Sequence, residues 1–250
     1  WNNKNSSVFN VIKQNLVSMT VGSGLCNYCE QNEASDIEHI LPKGLLPGHA
    51  FRWDNYLLAC KQCNTGYKLD RMFVFDPAGS SATIELVRGQ QPVSQDYAFI
   101  HPRNVDPLDY LLLDFDDFQF MPHPPPKGQL NSREFWQAEH TLDILGLNKR
   151  DCLVKQRKQA FTNFKNRLNE YAGVKKASTH SDLEQAVMGD PKIDHAQPFL
   201  DEQERLLTHI KQAILDSEHP TVWREMIRQR MKLSIFIQNL FQQAPEALSW

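Results

Sequence analysis

Two Cys-x-x-Cys pairs, Cys26/Cys29 and Cys60/Cys63, enclose the residues of this chain best suited to chemistry. A two-residue gap lets both thiolates of a pair reach one ion. The same turn recurs 31 positions after Cys29, so the four sulfurs form the ligand set of a tetrahedral four-cysteine zinc site. A redox function would need only one pair. Between the pairs lies D-I-E-H-I-L-P-K-G, then W-D-N-Y, and directly after Cys63 comes Asn64. Glu38 and Asn64 offer hard oxygens of the kind that hold Mg2+ or Mn2+. His39 can take a proton near neutral pH. A positioned base beside a hard cation is what phosphodiester hydrolysis requires. Two metals with different work are therefore expected: a closed structural zinc and an exchangeable catalytic ion.

Each assignment has a plainer alternative. His39 could be a structural histidine and Glu38 a solvent-facing strand residue. Asn55 could form a turn, and Asn64 could cap a helix after the second knuckle. Asp36 is read as a surface residue, with an extra metal ligand as the alternative. Lys43 and Lys68 are candidates for phosphate contact or plain surface. His49 sits in the intervening loop, where substrate or metal could approach. The fifth cysteine, Cys152, is read as a small, partly buried packing residue.

Several elements must position these groups. Residues 6–19 place Val8, Phe9, Ile12, Leu16 and Met19 at helical spacing, behind a serine cap. Residues 34–41 read as a strand ended by Pro42, with Asp36 and Glu38 on one face and Ile37 and His39 on the other. A loop over 43–52 leads to a second strand over 53–59, and residues 64–72 follow as a short helix. Short strands are expected over 73–76, 82–87, 110–115 and 118–121. The Pro-rich segment 123–128 reads as an extended connector. From Ser132 the pattern turns helical, with helices over 132–145 and 149–171, a short one over 182–188, and longer ones over 199–215 and 221–241. His101 and His123 are read as loop residues.

Glu-His-x-x-Pro-Lys, then Trp-x-Asn, then Cys-x-x-Cys-Asn resembles the HNH nucleases with a ββα-metal core. The signature positions are His39, Asn55 and Asn64. Within that superfamily the chain is similar to the HNH subunit of Septu-type anti-phage systems, also found in some retron defence operons. The resemblance covers the zinc-framed segment. It extends more weakly through L-G-L-N at 145–148 and the basic helix to H-P-x-V-W-R-E-M at 219–226. It implies that Asn55 holds the loop and His39 in place, with Glu38 where relatives often carry Asp. Relatives usually place a Lys three residues after the last Asn; here Lys68 lies four after Asn64, with Gly66 between. The resemblance further implies antiviral defence beside an ABC/SMC-like ATPase. No G-x-x-x-x-G-K-[S/T] loop occurs here, so that ATPase would be a separate subunit.

The 250 residues are 41% apolar and 23% charged, as in a soluble globular protein. Neither a membrane-spanning apolar run nor a signal peptide is visible, and the chain does not begin with Met. The lack of such a run and of a signal peptide, with two zinc-type cysteine pairs, points to a reducing, cytoplasmic setting without a membrane partner, while the missing Met leaves the native N-terminus open and weakens the targeting evidence. Net charge is only −3, so nucleic-acid binding needs a local basic surface. Residues 148–176 supply one, with nine Lys or Arg against two acids. Lys149, Arg150, Lys155, Arg157, Lys158, Lys165 and Arg167 are expected on its polar face, with Lys155 and Lys158 as phosphate contacts. Docking to an acidic partner protein is the alternative for that face, and a solvated surface is the plain one.

The expected fold is α+β: a ββα-metal HNH core with zinc knuckles over 1–75, short strands and the Pro-rich connector over 76–131, and a helical region over 132–250. The expected function is metal-dependent endonucleolytic cleavage of nucleic acid, DNA first. The alternatives are an RNA-cleaving effector, tRNA included, and a non-catalytic zinc-knuckle binding or adaptor subunit.

Overall fold

The computed structural model describes residues 7–20, 22, 24–79, 82–123, 133–187 and 191–250. The expected caps at Ser6 and Ser132, and nearly all of the Pro-rich connector, lie outside these residues. The fold is α+β, with short two-stranded sheets and a helical second half. The chain divides into two compact units, residues 1–155 and 156–250. No helix among the described residues is long and apolar enough to cross a membrane.

The first unit opens with α1 (Ser7–Val17), which buries Leu16 against Ala34, Tyr56 and Leu58. β1 (Asp36–His39) and β2 (Tyr56–Ala59) form an antiparallel hairpin, with Asp36 opposite Ala59 and His39 opposite Tyr56. Both strands are shorter than the sequence suggests. Pro42 stops the first, and Trp53–Asn55 forms a tight 3-10 turn before the second begins. Pro47, with its fixed φ, starts another such turn, Pro47–His49.

After the second cysteine pair the chain winds as a π-helix, Gln62–Lys68, in place of the expected ordinary short helix. The amide of Leu69 reaches the carbonyl of Asn64, five residues back, at 2.9 Å. A π-turn is how a helix accommodates one extra residue. The four-residue spacing from Asn64 to Lys68 falls within that turn.

β3 (Phe73–Phe75) pairs with β4 (Thr83–Glu85), and β5 (Leu111–Leu113) pairs with β6 (Phe120–Pro122), both antiparallel. Then come α2 (Arg133–Leu145) and α3 (Asp151–Lys176), and the boundary between the units falls within α3. The core of the first unit gathers the four cysteines with Ile40, Leu57, Met72, Ile100, Leu142, Leu145 and Leu153. Residues of α2 and the start of α3 thus belong to the core that contains the thiols.

The second unit holds the rest of α3, with α4 (His180–Ala186), α5 (Phe199–Leu215), α6 (Pro220–Arg228) and α7 (Ile235–Gln243). A capping box between Thr179 and Asp182 starts α4. The single helix expected over 221–241 is broken by a 3-10 turn, Arg230–Lys232, and an extended Leu233. Trp223 packs between Phe164 and Phe241, with ring centroids 5.5 and 5.7 Å away. Two residues of the expected basic face are not on the surface: Arg150, in the first unit, and Arg157, in the second, are both buried. Lys155 and Lys158 are exposed. So is Cys152, against the expectation of partial burial.

Candidate active site and zinc centre

The two knuckle turns bring four thiols into one buried cluster. The sulfurs of Cys26, Cys29, Cys60 and Cys63 all lie within 4.8 Å of one another. A zinc–sulfur bond of about 2.3 Å places tetrahedral thiolates roughly 3.8 Å apart; Cys29 and Cys60 are separated by 3.9 Å. The donor set fits zinc. The amide of Cys63 donates to the sulfur of Cys60 at 3.4 Å, and Asn32 Nδ2 points at Cys29 and Cys60 from 3.8 and 3.7 Å. Mutual hydrogen bonds split the thiol acidities, pulling Cys60 down and pushing Cys63 up. Replacing shared protons with one dication removes that conflict.

Beside the cluster, a cavity of about 430 Å3 is lined by Asp36, Glu38, His39, Lys43, Asn64 and Asp70, with Phe9, Asn10 and Lys13 of α1 on its rim. All four residues of β1 line it, so it opens along the strand and not against one face as simple alternation predicts. Asp36 is therefore not a bystander. It accepts a hydrogen bond from Asn64 Nδ2 at 3.2 Å, which leaves Asn64 Oδ1 as the amide's remaining acceptor.

His39 is buried, and its Nε2 lies 3.0 Å from the carbonyl oxygen of Ala50. A carbonyl can only accept, so Nε2 carries the proton and Nδ1 keeps the lone pair. The same carbonyl accepts from Tyr56 Oη at 2.7 Å, and the Tyr56 ring meets His39 edge-on at 5.2 Å. Burial disfavours imidazolium and holds the His39 pKa at about 4, with the Ala50 bond pulling the other way. At neutral pH the ring is an uncharged base.

Asn55 is buried and does not border the cavity. Its Oδ1 accepts from the Leu41 amide at 2.7 Å, while Nδ2 donates to the carbonyls of Leu41 and His49, each at 3.0 Å. It ties the exit of β1 to the loop that carries Ala50.

Lys68 is a candidate for phosphate contact by sequence, and the structure places it inside the protein. It is 0% exposed. Its Nζ donates to the His39 carbonyl at 2.8 Å and makes an ion pair with Glu38 Oε1 at 2.6 Å. The π-turn aims Lys68 inward at the two adjacent residues of β1. Burial pushes the Glu38 carboxyl up, with the Lys68 charge opposing it.

Lys43 is exposed at the cavity edge. His49 lies away from it, edge-on to Tyr97 with ring centroids 6.1 Å apart. Four groups with no local signal also belong to this neighbourhood. Asp70 lines the cavity, Tyr56 and the Ala50 carbonyl orient His39, and Arg103 donates to the Tyr56 carbonyl at 2.9 Å with its guanidinium over Trp53. Of these, only Tyr56 is open to a sequence argument, as the cross-strand neighbour of His39.

No family model matches the chain, and no solved structure matches it. The chain is similar to a protein of Vibrio cholerae serotype O1 biovar El Tor named as a candidate HNH endonuclease of retron Vc95, at 28% identity over 146 residues. The match spans 56% of this chain and 60% of that relative. A distant relative bearing an HNH endonuclease name, beside a four-cysteine cluster that could hold zinc, supports the HNH family for this chain.

Proposed function

We propose that this chain is a metal-dependent HNH endonuclease that hydrolyses phosphodiester bonds of nucleic acid, with DNA as the first substrate. One observation carries the reading. A single cavity brings together a neutral histidine with a fixed tautomer, an Asp–Asn pair and a second carboxylate, next to a separate thiol cluster.

In this reading His39 Nδ1 accepts the proton of the attacking water, and Ala50 and Tyr56 keep the ring from turning. The oxygens of Asp36, Glu38 and Asn64 suit a hard cation of the Mg2+ or Mn2+ type. When bound, such an ion neutralises charge on the phosphate and the leaving oxygen. The Lys68 ammonium holds Glu38 and the His39 backbone together, so the catalytic strand keeps its shape when a phosphate enters. Zinc belongs to the four cysteines, which leave it no open position for chemistry. Lys43 at the cavity edge and the exposed Lys155 and Lys158 are the proposed contacts to the nucleic-acid backbone.

The retron in the relative's name, with the resemblance to Septu-type subunits, supports a role in anti-phage defence in the cytoplasm beside an ATPase partner. The test is cleavage of DNA and RNA panels with Mg2+ or Mn2+, by the wild type and by His39→Ala. The variant is expected to lose at least about 100-fold of the activity, the range for a positioned general base, and to keep its zinc and its fold. Full activity in His39→Ala would overturn the assignment. Cleavage confined to RNA would reassign the substrate.

A further inference from the structure

The turn between α2 and α3, L-G-L-N-K-R, has no part in the proposed catalysis, yet it is built tightly onto the thiol cluster. Arg150 is 4% exposed. Its Nη1 and Nη2 donate to the sulfur of Cys63 at 3.4 and 3.5 Å, its Nε to the Gly146 carbonyl at 3.2 Å, and its Nη2 to the Leu145 carbonyl at 3.2 Å. The guanidinium also stacks on Tyr67, 4.8 Å from the ring centroid. Gly146 also abuts Tyr67: a Cβ there would come within 2.3 Å of the ring. Asn148 pairs with the backbone of Phe120 in β6 through two hydrogen bonds, of 2.6 and 3.0 Å.

A buried guanidinium requires an anion. Among the described residues no carboxylate meets Arg150; the side-chain acceptor it reaches is the sulfur of Cys63, which is a thiolate once zinc is bound. A four-cysteine zinc centre carries two net negative charges, since four thiolates surround one dication. We propose that Arg150 is the charge-balancing and positioning residue of the zinc centre, and that L-G-L-N-K-R is the clamp that delivers it. This rests on the zinc reading of the four cysteines. It links zinc to catalysis through the chain itself: Cys63 is followed directly by Asn64, and Tyr67 by Lys68, so the clamp sets the pitch of the π-turn that carries both site residues.

The experiment compares the full-length zinc-loaded wild type with Arg150→Gln, Arg150→Lys and, as a control on charge alone, Lys149→Ala, whose side chain pairs with Asp143 and touches no sulfur. Zinc affinity is read by competition with a chromophoric chelator, and the thiolate-to-metal charge-transfer band is read after cobalt substitution. Arg150→Gln is expected to weaken zinc binding 10- to 100-fold, as outer-shell partners of metal ligands do, and to shift the cobalt band. Arg150→Lys should recover part of the affinity, and it keeps the test open if the Gln variant does not fold. Lys149→Ala should stay within twofold of the wild type. Zinc affinity in Arg150→Gln within twofold of the wild type, or an equal loss in Lys149→Ala, would overturn the proposal. A wild type that binds no zinc would instead overturn the zinc reading beneath it.

Discussion

The behaviour of His39 is decided by a few atoms. Its Nε2 is committed to the Ala50 carbonyl, so only Nδ1 can accept a proton, and burial lowers the ring's pKa from 6.5 to about 4. Between those values the unfolded chain binds a proton that the folded chain does not. The stability contributed by neutral His39 is therefore fully present above about pH 6.5 and is lost as pH falls toward 4. His219, buried in the second unit with a pKa also near 4, acts with the same sign. Stability measured by denaturant titration is expected to fall from pH 6.5 to pH 4. For catalysis, the acid limb of kcat/KM should lie below about pH 5. A limb near 6.5 would mean that the imidazole is solvated in the working enzyme. A base this weak gains strength as an anionic phosphate approaches, because a nearby negative charge favours imidazolium. Glu38 shows the same economy of placement. Its buried carboxylate has Lys68 at 2.6 Å, and either charge alone would be costly at that depth.

At the level of elements, the π-turn is the feature on which the site depends. An ordinary helix, with about 3.6 residues per turn, would set Lys68 at a different angle from Asn64 than the wider π-turn does. Winding the segment as Gln62–Lys68 with a five-residue hydrogen bond returns it to Glu38. The α2–α3 turn supports this helix from behind. Gly146 adopts φ +57°, and its missing Cβ leaves room for the Tyr67 ring. Gly146→Ala is expected to lose about 2–4 kcal/mol, from the left-handed backbone and the steric conflict together. Urea denaturation would measure it; a loss under about 1 kcal/mol would mean that Tyr67 can move aside freely. The strands were legible from β-branched and apolar runs, but their ends were not. Proline and 3-10 turns cut them shorter than their composition implies, because a turn needs only local backbone geometry to compete with a two-stranded ladder.

Each of the two units has its own packing. The thiol cluster lies inside the core of residues 1–155, where it ties residues 26–29 to residues 60–63. Residues 156–250 have their own aromatic packing around Trp223 and no part in the cluster. Removing zinc with a strong chelator is expected to lower the melting temperature of one transition in a thermal scan and to leave a second, helical transition in place. Metal-free protein with an unchanged melting profile would mean that the thiols fold without an ion. The stabilisation at stake is on the order of the binding free energy of a structural zinc, about 10 kcal/mol or more, which few single cores of this size could replace.

Much of the chemistry was legible in the sequence because its determinants are local. A Cys-x-x-Cys knuckle is one turn of chain, so spacing alone announces the thiol cluster, and Glu38 and His39 are adjacent on one strand, so spacing also puts them forward together. The partners that make the groups work are distant in sequence and carry no local signature. Lys68 reaches Glu38 across 30 residues, Arg150 reaches Cys63 across 87, and Ala50 acts through a backbone carbonyl that every residue possesses. Lys68 and Arg150 also looked like surface charges, because a cation's type says where it prefers to be, and only its neighbours can make burial tolerable. The sequence by itself determined the four-cysteine cluster, and it put forward Glu38 and Asn64 as ligands and His39 as the base. The tertiary structure decided that His39 Nε2 meets the Ala50 carbonyl, that Asp36 and Asn64 line one cavity, and that Lys68 and Arg150 are buried beside Glu38 and Cys63.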